Sequence, residues 1–333
     1  MKKLILAVPL LLVLSVMSAI VFLLQKYFWG GLAVLVFALA LNWWSETFAL
    51  HLFREKKRKY DFRILTYNVN RAHETSTNKG TTEELIAFIL EQDADIVLLQ
   101  EYNAELYPLV LEQLSKEYLY GSGIDATSRF KSVFSRFPIE SCEQLMVDSR
   151  NPEYEVFQNA IYCKKQYNGM EIMPICKLLL NINGHKVQVF NCHLMSNNYS
   201  VVIRNLRRKG VFICKGLLPI LARVDFGYKA RELQTRVIKE RVDRNDPTLI
   251  CGDFNDVGGS SPIRILQSLG IKDAWWNRGF GFGFTYHGYG LKFRLDHVLY
   301  TPTKIELVNI NIPNLFFSDH NAIVCDFMFP RYI

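Results

Sequence analysis

The chain has 333 residues, half of them hydrophobic and 21% charged, with a formal net charge of +7. That composition excludes a disordered or collagen-like chain, and the length suits one large domain or two smaller ones at roughly 150 residues each. The charge is unevenly placed: residues 1–53 carry +2, the run Arg54-Glu55-Lys56-Lys57-Arg58-Lys59 carries +4, and residues 60–333 only +1, too little for the overall basic field of a general nucleic-acid binder.

In chain order, two uncharged stretches come first, Leu4 to Gln25 and residues 27–45. Each is about long enough to cross a hydrocarbon core of roughly 30 Å as a helix. Lys2 and Lys3 precede the first, Lys26 alone separates the two, and the basic run follows the second. The positive-inside rule turns this into an N-terminal transmembrane helical hairpin within residues 1–53, with both ends in the cytoplasm. Residues 54–60 then form a basic juxtamembrane linker, and the expected location is a multi-pass cytoplasmic (inner) membrane protein. A signal peptide is the competing reading of the first stretch. Its length and the lack of a clean small-x-small site speak against that. The second span is the weaker one, because Asn42, Ser45 and Glu46 interrupt it.

Beyond Phe53 the pattern alternates strands and helices. Phe62–Tyr67 reads as a short strand. Thr81 and Glu84 make a capping box ahead of Leu85, Ile86, Ile89 and Leu90, so a helix starts there. Asp95–Gln100 reads as a buried strand. Lys177–Ile182 and His185–Cys192 flank Asn183-Gly184, a strong hairpin signal. Lys229–Val242 is helical, and Thr248–Gly252, Leu295–Tyr300, Ile305–Ile310 and Asn321–Phe327 are further strands. Hairpins mixed with crossovers predict an α/β sandwich. The seven cysteines show no zinc-like spacing. Cys192, Cys251 and Cys325 sit in apolar strands, where cysteine acts as a small hydrophobe, so reduced thiols are expected.

The polar residues that can carry chemistry fall at strand ends. Asn68, Glu101, His193, Asp253 and Asn255 each close an apolar run. Asp296 opens one, and Ser318-Asp319-His320 directly precedes another. Any one of them alone is an ordinary strand cap. Together, with no Lys or Arg among the carboxylates, they suit one rim of a sandwich.

The ordered set TYNVN, LLQE, SRFPI, NCHL, GDFND, RLDHVL and SDHNAI, spanning residues 62–328, resembles the endonuclease/exonuclease/phosphatase superfamily of Mg²⁺-dependent phosphoesterases. The chain looks like a membrane-anchored, bacterial-type member. The resemblance implies a four-layer α/β sandwich, two mixed sheets flanked by helices, over residues 61–333. It implies that Glu101 holds Mg²⁺, with Mn²⁺ able to substitute, Asn68 alongside and Asp319 as a second metal-side carboxylate. Asp253 would orient or deprotonate the attacking water, and Asn255 would hold the phosphate or the nucleophile. His320 would work in acid–base chemistry, oriented by Asp296. His193 would donate to a non-bridging phosphate oxygen. No motif claims His185, His287 or His297, which read as structural. Where abasic-site endonucleases resemble Tyr-x-Pro-Asn, this chain has Asn191-Cys192-His193-Leu194, closer to the deoxyribonuclease, sphingomyelinase and deadenylase branches.

Three readings follow. The favoured one is a membrane-anchored phosphoesterase acting on a lipid headgroup or small phosphodiester, with no protein partner. The second is a nuclease on the same site, since twelve Lys/Arg against four acids between Arg204 and Arg244 could track a nucleic-acid backbone. The third is a non-catalytic binding module. The segment Asn197–Lys229 is read either as a solvated helical excursion or as a lid resting on anionic headgroups.

Overall fold

The computed structural model describes residues 7–24, 28–51, 59–70, 81–102, 108–122, 131–147, 175–196, 213–288, 292–315 and 317–331. Two helices come first, α1 (Val8–Leu24) and α2 (Phe28–Ser45), packed against each other. They are followed by β1 (Ala49–Leu50), β2 (Phe62–Asn68), α3 (Thr82–Glu91), β3 (Ile96–Gln100), α4 (Pro108–Glu117), β4 (Tyr120–Ser122), β5 (Lys131–Ser135) and β6 (Ile139–Leu145). Next are β7 (Ile175–Ile182), β8 (His185–His193), α5 (Ile213–Arg241), β9 (Thr248–Asp253), α6 (Ser261–Gln267), β10 (Lys272–Asp273) and α7 (Ala274–Arg278). The chain closes with β11 (Phe280–Gly281), β12 (Asp296–Tyr300), β13 (Glu306–Asn311) and β14 (Ile323–Met328).

Two six-stranded mixed sheets face each other, in the orders β13-β14-β2-β3-β5-β4 and β10-β12-β9-β8-β7-β6. Within them β2–β3 and β8–β9 run parallel and the other pairs antiparallel. Ile64, Leu98, Leu178, Val189, Cys251, Val298 and Cys325 fill the space between the sheets. Helices α3 and α4 cover the outer face of the first sheet through Leu85, Ile89, Val110 and Leu114. Helices α5 and α6 cover the second through Ile238, Ile263 and Leu266. The result is the expected four-layer arrangement, and the three buried clusters explain the long apolar runs: each central strand is covered on both faces.

Local chemistry places the elements. The Thr81–Glu84 box is formed in both directions and starts α3. Asn183 and Gly184 both have positive φ, 52° and 89°, which matches a two-residue turn whose twist suits the β7–β8 hairpin. The expected helix Lys229–Val242 is the C-terminal half of α5. Strands β4 to β6 and helices α4, α6 and α7 carry no clear sequence signal. On β6, Glu140 to Gln144 are all exposed, so an alternating pattern is absent.

The hairpin expectation needs correction. Among the described residues no helix is long and apolar enough to cross a membrane. α1 has 17 residues, about 26 Å at 1.5 Å per residue, short of a hydrocarbon core of roughly 30 Å. Pro9 in its first turn favours a helix start at that point. The last turn of α2 is turned onto the sandwich rather than beyond it. Asn42 exchanges two hydrogen bonds with the Phe48 backbone, and Gln267 donates to the Glu46 carboxylate at 2.8 and 2.9 Å. The basic run 54–58 and the basic stretch 197–212 lie outside the described residues.

Candidate active site

The sequence-predicted residues converge on one rim. Asn68 and Glu101 leave the ends of the parallel pair β2–β3, where Asn68 lies opposite Gln100. His193 and Asp253 are register partners at the ends of β8 and β9. Asp296 opens β12 opposite Asp253, and Asp319 and His320 precede β14. Parallel strands put their C-terminal ends side by side, and the antiparallel neighbour brings its start to the same edge, so topology alone gathers these side chains.

Below them the two sheets are joined by amides. Gln100 donates to Asn191 at 2.8 Å and to Thr66 at 3.0 Å, and Asn191 donates to the Leu99 carbonyl at 3.2 Å. Close strand approach demands Gly252: a Cβ there would lie 2.0 Å from the Cys192 carbonyl oxygen, and its φ is +125°. Glu101 and Asn255 are non-glycine residues with left-handed backbone, φ 56° and 50°. Such conformations are costly, and they cluster at functional sites.

Asp253 is the centre. Its Oδ2 accepts from the Asn68 amide at 2.9 Å and from the Asn255 amide at 3.3 Å, and its Oδ1 accepts from the Asn255 backbone N–H at 2.7 Å. The Nε2 atoms of His193 and His320 lie 3.7 and 3.9 Å from the same Oδ2. Burial raises the Asp253 carboxyl to about 6, helped by Asp296 and opposed by the two histidines. On the far side of His320, Nδ1 meets the Asp296 carboxylate at 2.7 Å. Burial works against a charged imidazole there, but Asp296 and Asp253 outweigh it and hold the pKa of His320 at about 10. The result is a carboxylate–imidazolium–carboxylate row, with the proton of Nδ1 fixed by Asp296.

Glu101 and Asp319 form the second half. Asn68 also donates to Glu101 at 3.3 Å, and His193 Nε2 stands 3.6 Å from Glu101. Burial raises the Asp319 carboxyl, and the charge of Glu101 raises it further against the pull of His320. Like charges gathered in this way fit a bound cation. Donor atoms of Asp253, Asp296 and His320 also lie within 4.8 Å of one another, close enough for a metal. An imidazolium is a poor ligand, however, and the hydrogen bond to Asp296 already occupies Nδ1. Glu101 and Asp319 are therefore the better cation cradle, with Asn68 orienting the Glu101 carboxylate through its amide. Asn255, expected to hold phosphate or nucleophile, donates its amide to Asp253 and to the Leu194 carbonyl at 2.9 Å.

Several residues at the rim have no role assigned from the sequence. Thr285 Oγ1 accepts from the backbone N–H groups of Leu295 and Asp296, both at 3.0 Å, and so fixes the start of β12. Tyr286 lays its ring edge-to-face on His320, centroids 5.1 Å apart. Ser318 donates to the Asn68 carbonyl at 2.8 Å and accepts from the His320 N–H at 3.1 Å, tying the end of β2 to the segment that leads into its neighbour β14. The backbone N–H of His287 bonds to the Asp319 carbonyl at 2.8 Å, and burial lowers the pKa of its ring. His287 thus stands beside the site rather than in remote structure. The string TYHG carries too little pattern to flag Thr285, Tyr286 or His287, while Ser318 stands inside the SDHNAI string without a role of its own.

Known proteins share this architecture. The model of the endonuclease/exonuclease/phosphatase family matches residues 65–320. The chain is similar, at 23% identity over 344 aligned positions, to the CCR4-Not complex 3'-5'-exoribonuclease subunit Ccr4 of Schizosaccharomyces pombe. That match takes in 80% of this chain and 49% of the relative, so the chain spans about half the length of that protein. Among solved structures it is similar to an endonuclease/exonuclease/phosphatase from Beutenbergia cavernae, with a TM-score of 0.56, 16% identity, and coverage of 81% of this chain and 72% of that one. It is also similar to the human Nocturnin catalytic domain, with a TM-score of 0.52, 15% identity, and coverage of 81% and 93%. At these identities the solved structures speak to the fold.

Proposed function

The chain belongs to the endonuclease/exonuclease/phosphatase family of phosphoester hydrolases, and on that premise we propose that it is a divalent-metal-dependent phosphoesterase working at the Asp253 rim. The observation that carries this reading is the row His193–Asp253–His320–Asp296 beside the Glu101–Asp319 pair. Asp253, kept near pKa 6, accepts a proton from the attacking water at neutral pH. Asn68 and Asn255 hold its carboxylate in place. His320, charged and fixed by Asp296, and His193, aimed into the same space, donate to phosphate oxygens where negative charge develops. Glu101 and Asp319 would hold Mg²⁺ or Mn²⁺, which supplies charge neutralisation at a phosphoryl oxygen.

We place the reaction at a membrane surface, with a lipid headgroup or small phosphodiester as substrate. Supporting this, α1 and α2 turn an apolar face outward: Leu10, Met17, Val36 and Phe37 are well exposed, and Trp29 and Trp43 stand 78% and 76% exposed near opposite ends of α2. Paired tryptophans of this kind suit membrane–water interfaces. Lys2, Lys3 and the basic run Arg54–Lys59 would add attraction to an anionic membrane surface. A nuclease is the second reading, favoured by the exoribonuclease named among the relatives and by the basic segment from Arg204 to Arg244.

The test is turnover by the full chain in detergent, with Mg²⁺ or with EDTA, against phosphoinositides, sphingomyelin, generic phosphodiesters, RNA and DNA. Metal-dependent hydrolysis of a lipid or small ester, lost in Asp253→Ala and His320→Ala, is the expected result. Activity confined to RNA or DNA moves the assignment to the second reading. No turnover of any ester overturns both.

A further inference from the structure

A second buried polar cluster lies on the opposite side of β12 from the rim. Side chains alternate along a strand, so Asp296 faces His320 while its neighbour His297 faces away. His297 Nδ1 meets the Asp273 carboxylate at 2.6 Å, and Nε2 meets the Asp256 carbonyl at 2.9 Å. Arg294, two residues before Asp296, donates Nη1 to the same Asp273 oxygen at 2.7 Å. Asp256 is one residue beyond Asn255 and accepts from Arg231 at 2.8 Å. All five side chains are buried, none more than 4% exposed.

The cluster continues into the helical hairpin. Arg294 Nη2 donates to the Glu46 carbonyl at 2.8 Å, just past the end of α2. Arg264 Nη2 bonds to the Trp44 carbonyl and donates Nε to the Gly259 carbonyl at 2.7 Å. The loop after Asn255 is shaped to admit this contact. A Cβ at Gly259 would lie 2.8 Å from the Ser45 backbone, and its φ is +69°.

We infer that the Arg294–Asp273–His297 brace positions the catalytic rim, gripping both flanks of Asp296 and the chain beyond Asn255, and that the end of α2 at Glu46 completes it. The inference rests on the reading of Asp253, Asp296 and His320 as the working site. Its residues never touch substrate. They set the distance between the Asp253 loop and the start of β12, and hence the alignment of the Asp296–His320 bond with Asp253. Misplacement of about 1 Å from a remote change can cost about 10²-fold in rate.

The experiment compares full-chain His297→Gln with Leu180→Ala, a core change on β7 remote from the brace, and reads kcat, KM, Tm and the downfield proton resonance of the His320 Nδ1–H bonded to Asp296. His297→Gln should lower kcat at least about tenfold with KM within about twofold, and should shift or broaden that resonance. Leu180→Ala, whatever its Tm, should leave both kcat and the resonance as in wild type. A His297→Gln protein with wild-type kcat and resonance overturns the proposal. If His297→Gln does not fold, Gln267→Ala decides, because it releases the Glu46 carboxylate without stranding a buried cation. It should give the same pattern at about threefold, and an unchanged kcat and resonance would again overturn the proposal. The resonance is read without substrate. A shifted resonance in a protein that hydrolyses no ester would therefore sink the proposed function and leave the brace standing.

Discussion

Asp253 and Asp273 are both wholly buried at the ends of strands in the same sheet, yet their carboxyls move in opposite directions. Burial raises Asp253 to about 6, and Asp296 adds to the rise. Burial also acts on Asp273, but there Arg294 and His297 more than reverse it, and the pKa falls well below the ordinary value. The difference lies in the neighbours. The rim brings Asp253, Asp296 and Asp319 beside Glu101, with no lysine or arginine bonded to Asp253, Asp296 or Asp319 among the described residues, while the brace gives Asp273 the Arg294 guanidinium and the His297 imidazole within 2.7 Å. One cluster keeps unbalanced charge where a metal and a phosphate can use it. The other spends its charges on geometry.

The largest effect that would test this contrast is on rate. Asp253→Asn should cut kcat by at least about 10²-fold, as expected for removal of a positioned proton acceptor, while Tm holds or rises because a repelled buried carboxylate is gone. A variant that keeps its activity would remove Asp253 from the chemistry. Asp273→Asn should do the reverse in stability. It leaves Arg294 buried with half its pairing lost, a change of about 3–5 kcal/mol, visible in denaturant melts. Should Asp273→Asn melt like wild type, the brace is not a matched cluster. Next in size is Glu101→Gln, which should weaken Mg²⁺ binding about tenfold, roughly 1.4 kcal/mol, with little change in Tm. Calorimetric titration beside thermal melts checks it, and unaltered affinity would make Glu101 structural.

The rim was legible in the sequence because its residues stand in short strings at the ends of apolar runs. Strand ends are where local pattern and chemistry coincide. Asn68, Glu101, His193, Asp253, Asp296 and His320 all stand in that pattern and meet at one rim, and the α3 capping box and the Asn183-Gly184 turn are equally local. The brace was not legible. Asp273, Arg294 and Asp256 meet only through tertiary packing, and His297 looks like any histidine in a strand. His297 is buried, as a structural histidine would be, but nothing in its local string shows what it grips. Hydropathy misjudged the first 50 residues for a related reason. An uncharged run records the absence of charge, not where a helix starts or where its last turn docks. Here Pro9 marks the first turn of α1, and Trp44 and Glu46 bind the sandwich.

The smallest effect separates the two clusters by pH, and the sign follows from the direction of each shift. His320 is raised from 6.5 to about 10, so its stabilisation is complete below pH 6.5 and is lost as pH climbs through 10. Asp253, raised to about 6, weighs on the fold fully above that pH and is constant beyond it. Asp273, with its lowered pKa, contributes its full stabilisation above the ordinary carboxylate range, so it too is silent at neutral pH and above. Between pH 7 and 8, in the presence of EDTA, stability should therefore fall by about 1 kcal/mol through His320. His320→Gln should remove that slope, while Asp273→Asn should lower the whole curve and keep it. Equal slopes in wild type and His320→Gln would mean that the charge on His320 is not held by Asp296 and Asp253, and the contrast between the two clusters would lose its physical basis.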